Sequence, residues 1–304
     1  MPALFLPSRL NELFVIFLSI VLQSLPFVLI GVFASAAVQQ YVSERTVARW
    51  LPRRPLPVVL LGSVFGFVAP VCDCGVIPFA RRLSAKGVPA YAATTFILAA
   101  PVVNPVVLIS TAFAFQGDWT IVGLRMAMTL SVAIVVGLLA SVLFPAVTGL
   151  TPAALPISGS SLEEMRPRQD LQALVGHATA EFYDVIFFIV LGALFTAATQ
   201  TFVPRGDLAA IGSRPVGSVL ALMPVATLLS ICSEADAFVA RAFATTFTLG
   251  AILAFMTIGQ IIDLRSGFLL VRTLRMRLTM LVVGVSSVLV FVEGVLVNLV
   301  RPWL

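Results

Sequence analysis

Charge is what this chain has least of. Asp, Glu, Lys and Arg make up 11% of its 304 residues, against about a quarter in an ordinary soluble domain. Hydrophobic residues make up 60%, and the mean hydropathy is +1.07. So little charge over so much apolar sequence argues against a water-soluble globular fold and indicates an integral membrane protein. Histidine occurs once, at His177, which argues against a histidine-rich transition-metal centre. Three cysteines are too few for a disulfide framework, and two of them are neighbours but one. Walker A, His-Glu-x-x-His and Gly-x-Ser-x-Gly sequences are missing. ATP hydrolysis by a P-loop and the common protease and hydrolase templates therefore drop out. The net charge of +5 is no nucleic-acid signal here, because surplus arginine on a membrane protein orients loops and meets anionic lipid.

What the chain does have is a series of apolar segments. A span needs about 20 apolar residues, and we read spans at 13–42, 56–80, 88–116, 120–147, 174–203, 215–232, 243–262 and 278–300. The first carries Pro26 and is predicted to kink. It runs into Ala34-Ser35-Ala36, which resembles a signal-peptide cleavage site. Its length, and a partner in the second half of the chain, favour a true span. Trp50, Trp119 and Trp303 fall near proposed span ends, where an aromatic belt would put them. Gly62 and Gly66 form a GxxxG, a pattern of close helix packing.

Segment 149–172 is rich in Pro and Ser, carries both charge signs and reads as a solvated linker. It sits at mid-chain, which invites a search for repetition. Sliding the first half forward by 159 residues puts Phe79 on Phe238, Arg82 on Arg241, Phe96 on Phe255, Cys74 on Ser233 and Asn104 on Asp263. At a shift of 161, Gly31 meets Gly192 and Val42 meets Val203. The expected organisation is a first transmembrane repeat at 1–148, a polar linker at 149–169 and a second repeat at 170–304. Chance alignment of low-complexity apolar sequence is the competing explanation. Four spans per half would make the repeats parallel, and five would make them inverted. Arginines on both putative sides leave the orientation open.

Two places interrupt the apolar pattern in each half. The first is Pro70-Val-Cys72-Asp-Cys74-Gly75-Val-Ile-Pro78, with Ser230-Ile-Cys232-Ser233-Glu234-Ala-Asp236 as its counterpart. The second is Ala-Pro101-Val-Val-Asn104-Pro105, facing Gly259-Gln-Ile-Ile-Asp263. Proline and glycine weaken a helix, and irregular backbone at membrane depth survives only against protein or a water-filled cavity. The plainer possibilities are loops at the membrane surface and a simple proline kink. Cys-x-Cys cannot share one face of a helix, but in extended backbone residues i and i+2 point the same way. Cys72 and Cys74, with Cys232 from the second half, could then close on one soft ion or thiophilic atom. Otherwise each cysteine is a small buried apolar residue. Glu234 or Asp236 could carry a proton.

The ordered set P-V-C-D-C-G-V-I-P, A-P-V-V-N-P and S-I-C-S-E-A-D-A-F-V-A resembles the predicted permease family that includes the organoarsenical efflux permease ArsP and the YraQ-type proteins. The resemblance covers essentially the whole chain. It implies a multi-pass permease of the inner membrane, and it carries over to Cys72, Cys74, Gly75, Pro78, Pro101, Asn104, Cys232, Ser233, Glu234 and Asp236.

The expectation is therefore an all-α polytopic membrane protein of about eight transmembrane helices, up to ten if the broken segments count separately, in two pseudo-symmetric halves. It would be no enzyme and need no cofactor. It would export a small thiophilic solute, a trivalent organoarsenical or soft metal species, as in arsenic resistance, with possible partners limited to that solute and membrane lipid and no nucleic acid. The expected substrate contacts are Cys72, Cys74, Asn104, Cys232, Ser233, Glu234 and Asp236. A membrane thiol-redox protein and a non-transporting partner subunit are the alternatives.

Overall fold

The computed structural model describes residues 54–68, 73–85, 87–144, 214–233, 235–244, 246–263 and 273–300, with scattered positions within 10–29, 176–198 and 267–271. The expected spans 13–42 and 174–203, the Ala34–Ala36 stretch and the linker at 149–169 therefore lie mostly or wholly outside the described residues. Among the described residues every regular element is a helix and none is a strand. In chain order they are α1 (Pro55–Val68), α2 (Asp73–Ala85), α3 (Ala90–Val103), α4 (Pro105–Ala114), α5 (Trp119–Leu143), α6 (Pro215–Leu229), α7 (Asp236–Phe243), α8 (Leu249–Ile261) and α9 (Met276–Val300).

Local sequence explains the boundaries. Proline opens α1, α4 and α6, a position where its missing N–H costs nothing and its fixed φ is already helical. Asp118 caps α5 by accepting from the Thr120 N–H. The α4–α5 turn closes on Gly117 at φ 87, where a side chain would be strained. Ser230 ends α6 at φ 44, an unusual left-handed position for a residue with a Cβ.

Among the described residues two helices, α5 and α9, are long and apolar enough to cross a membrane alone. Each has 25 residues, or about 37 Å. α3 and α4 qualify as a third only as a pair, bent by 41° at Asn104. The shorter apolar helices α1, α6 and α8 fall below that length.

The core lies between α3 and α8. Every residue of α8 is buried, and every residue of α3 except Tyr91. α1, α2 and α5 pack on α3, while α6, α7 and α9 pack on α8. The two sets meet where α5 lies against α8 and α9, and where α4 touches α7. On α9 the buried residues Leu278, Val282, Ser286, Val290, Gly294 and Asn298 recur every four positions. Val288, Val292, Leu296 and Leu299 on its other side are exposed, an apolar surface suited to lipid.

Small residues let these helices approach closely. Gly62 and Gly66 of the GxxxG face Ala92 and Ala100 of α3, so the motif does serve helix packing. Gly250 and Gly294 meet backbone to backbone where α8 crosses α9, and Asn298 Oδ1 accepts from the Gly250 N–H at 2.7 Å. Phe79 and Phe96 stack at 5.4 Å between α2 and α3, and Phe243 meets Phe255 at 5.9 Å between α7 and α8. Phe238, which the 159-residue shift pairs with Phe79, is exposed instead.

Candidate functional site

The chain between α6 and α7 is Ser230-Ile-Cys-Ser-Glu-Ala, and α7 starts at Asp236. This break brings a carboxylate against a guanidinium from the other side of the chain. Arg125, on α5, is fully buried. Its Nη2 donates to both carboxylate oxygens of Asp236, at 2.9 and 2.8 Å, and lies 3.3 Å from the Ser233 carbonyl. Its Nη1 donates to Thr111 Oγ1 of α4 at 2.6 Å. Thr111 spends its own hydrogen on the Val107 carbonyl. Gln260, near the end of α8, donates to Asp236 Oδ2 at 2.6 Å.

Four helices and one break thus converge on a single buried ion pair. A charge in such surroundings is tolerated only when paired and hydrogen-bonded. Asp236 receives two contacts from arginine and one from an amide, an arrangement suited to an ionised carboxylate. Two polar atoms of the cluster have no hydrogen-bond partner among the described residues: Arg125 Nε, a donor, and Gln260 Oε1, an acceptor. Buried polar atoms normally have one, so the cluster has bonding capacity for a water or a polar solute.

The residues singled out from sequence divide as follows. Asp236 is in the cluster, and Ser233 contributes its carbonyl. Cys232 is partly exposed and lies one residue before Ser233. Glu234 and Cys72, with Pro70, lie outside the described residues, as do the side chains of Cys74 and Pro78. The backbone corrects one expectation. Asp73–Ala85 is helical, so Cys74, Gly75 and Pro78 sit in the opening turns of α2, and Cys74 is not in the extended conformation that would align it with Cys72.

At the other break Pro101 stays inside α3, and the bend comes at Asn104 and Pro105. Asn104 is buried and caps α4 by accepting from the Val106 N–H at 3.0 Å. Its oxygen is therefore engaged in holding the bend.

Arg125, Thr111 and Gln260 were not foreseen from sequence. The signal for Arg125 was present, a lone arginine within the apolar stretch 120–147, where an ionisable side chain calls for a partner.

The ion pair joins α5 to α7 in a helical membrane protein, and comparison with known proteins agrees with that class. The chain matches the ArsP_1 family, described as "Predicted permease", over residues 9–299. It belongs to the ArsP_1 predicted-permease family. Among relatives of this permease, UPF0718 protein YcgR of Bacillus subtilis (strain 168) is 37% identical over 295 residues, covering 96% of this chain and 98% of that protein. A "Putative two-component membrane permease complex subunit" of Streptococcus mutans serotype c (strain ATCC 700610 / UA159) is 31% identical over 296 residues, covering 97% and 98%. No solved structure matches. Membership makes the protein a predicted membrane transporter and points away from an enzyme.

Proposed function

We propose that this permease exports a small, soft, thiophilic solute across the inner cell membrane, through a site between two pseudo-symmetric halves. The observation that carries the reading is the buried Arg125–Asp236 pair. One partner comes from each side of the linker, and the pair sits beside a helix break that also holds Cys232. Discontinuous helices that meet at a repeat interface are a common way to build a transport site.

The two halves are supported by the order and packing of the helices. Adding 159 to α3, 90–103, gives 249–262, against 249–261 for α8. Adding it to α5 gives 278–302, against 276–300 for α9. The inner helix of each set packs on the same three neighbours in that correspondence. About eight spans, or up to ten if the broken segments count separately, remain the proposed number.

Cys72, Cys74 and Cys232 are the proposed ligands for a trivalent organoarsenical or soft metal species, since thiolate selects soft acceptors. Asn104, Ser233, Glu234 and Asp236 would complete the path. For coupling, a proton reaching Asp236 would neutralise the partner of Arg125 and loosen the tie between the halves; Glu234 is the other candidate. The test is accumulation in everted vesicles, with trivalent organoarsenicals and soft metal ions supplied in turn. Cys232→Ser and Cys72→Ser should lose accumulation, and Glu234→Gln should lose its dependence on a proton gradient. Undiminished accumulation in both cysteine variants would remove the thiol site.

A second reading draws on the Streptococcus mutans relative, whose name makes it one subunit of a two-component permease complex. By that reading the chain transports only with a partner subunit. Accumulation by the purified chain alone in liposomes would exclude it.

A further inference from the structure

Glu293 takes no part in the ion-pair cluster. It lies on α9, and its Oε1 meets Ser131 Oγ of α5. Ser131 is the central residue of α5, so the acid reaches the seam at the middle of a helix long enough to cross a bilayer. Its other oxygen, Oε2, is buried and has no hydrogen-bond partner among the described residues.

No described cation neutralises it. On α5 the one ionisable side chain is Arg125, already engaged by Asp236. α6 and α8, which also pack on α9, carry no ionisable side chain. On α9 itself the other ionisable group is Arg277, near the opposite end and exposed. An isolated carboxylate among apolar helices is costly, and taking up a proton removes that cost.

Hydrogen counting at Ser131 points the same way. Its Oγ lies 2.7 Å from the Met128 carbonyl as well as beside Glu293. A hydroxyl has one hydrogen to give. With Ser131 donating to Met128, the second contact needs its hydrogen from Glu293, as a protonated acid. With Glu293 ionised, the hydroxyl turns from Met128 and donates to the carboxylate. Met128 tolerates either state, because this serine bond is additional to the helix's own. One rotating O–H therefore serves both forms of the acid.

We propose that Glu293 and Ser131 form a reversible proton-binding site at the centre of the α5–α9 seam, with the serine hydroxyl switching between the two states. The site deepens the proton-coupled reading above and rests on it only for the use to which the proton is put.

Infrared difference spectra of the purified full chain in lipid, between mildly acidic and mildly alkaline buffer, test the site without any substrate. The wild type should gain a protonated-carboxyl band on the acid side, and Glu293→Gln should lose it. Ser131→Ala should keep the band and shift its frequency, because the acid's O–H loses its acceptor. A pH-dependent band left intact by Glu293→Gln, or a Glu293 band equal in both buffers, overturns the proposal. A band unmoved by Ser131→Ala overturns the part given to the hydroxyl, and this arm stands even where Glu293→Gln fails to fold. Wild-type transport indifferent to a proton gradient, with the infrared response intact, would count against the proton-coupled reading and leave the site standing.

Discussion

Arg125 is wholly buried and carries a full charge on a helix that is otherwise apolar. Its stability depends on one carboxylate, so the two residues should be tested together. Arg125→Met strands Asp236 and should cost about 3–5 kcal/mol, read as a fall in unfolding temperature in detergent. The double variant Arg125→Met/Asp236→Leu removes both charges and should recover most of that loss. A double variant as unstable as the single one would show that the pair is not the source. The arginine was legible as an anomaly in an apolar run. Its partner was not, because Asp236 stands 111 residues away in the chain and only the packing of α4, α5, α7 and α8 brings them together. Glu293 was overlooked for a related reason: the sequence directs attention to proline and cysteine at the breaks, whereas this acid interrupts an unbroken helix.

At the scale of the helix, hydropathy placed α5 and α9 to within a few residues, because each is long, uninterrupted and edged by polar sequence. Where the pattern was interrupted, the sequence located the breaks but not their geometry. Stretch 56–80 became two helices, with Cys74 helical in the second. Proline at 101 was absorbed into α3, and the bend went to Asn104, whose side chain can cap the helix that follows. Close crossings give the sharpest prediction at this scale. A Cβ on Gly250 would run into the Gly294 carbonyl and displace Asn298. Gly250→Ala should therefore destabilise by about 1–3 kcal/mol, as overpacking does. Gly123, on exposed helix with nothing within 4 Å of an added Cβ, is the control, and Gly123→Ala should be neutral or slightly stabilising. Thermal unfolding of the two variants side by side checks both; equal stability would mean that the α8–α9 crossing yields easily.

For the molecule as a whole, the contacts of α5 with α8 and α9, and of α4 with α7, predict that the segments before residue 149 and after residue 169 hold together without a covalent connection. Fragments 1–148 and 170–304, co-expressed, should co-purify in detergent, and recovery should fall when one carries Arg125→Met. Recovery at background level for the unaltered pair would show that the seam is too weak to bind. The whole-chain class was legible from composition alone. The proposed repeat rests on sparse landmarks, and one of them, Phe238, is exposed where its counterpart Phe79 is buried.

The burial of α8 bears on how the chain is made. Its 13 residues extend only about 20 Å, short of the roughly 30 Å of a hydrocarbon core, and none of them faces outward. Such a helix cannot settle into the bilayer as a finished span before the segments around it. It must be enclosed by α6, synthesised before it, and by α9, synthesised after it. Biogenesis then depends on the last helix: a chain released before α9 would leave α8 half enclosed, a species for quality-control proteases to remove.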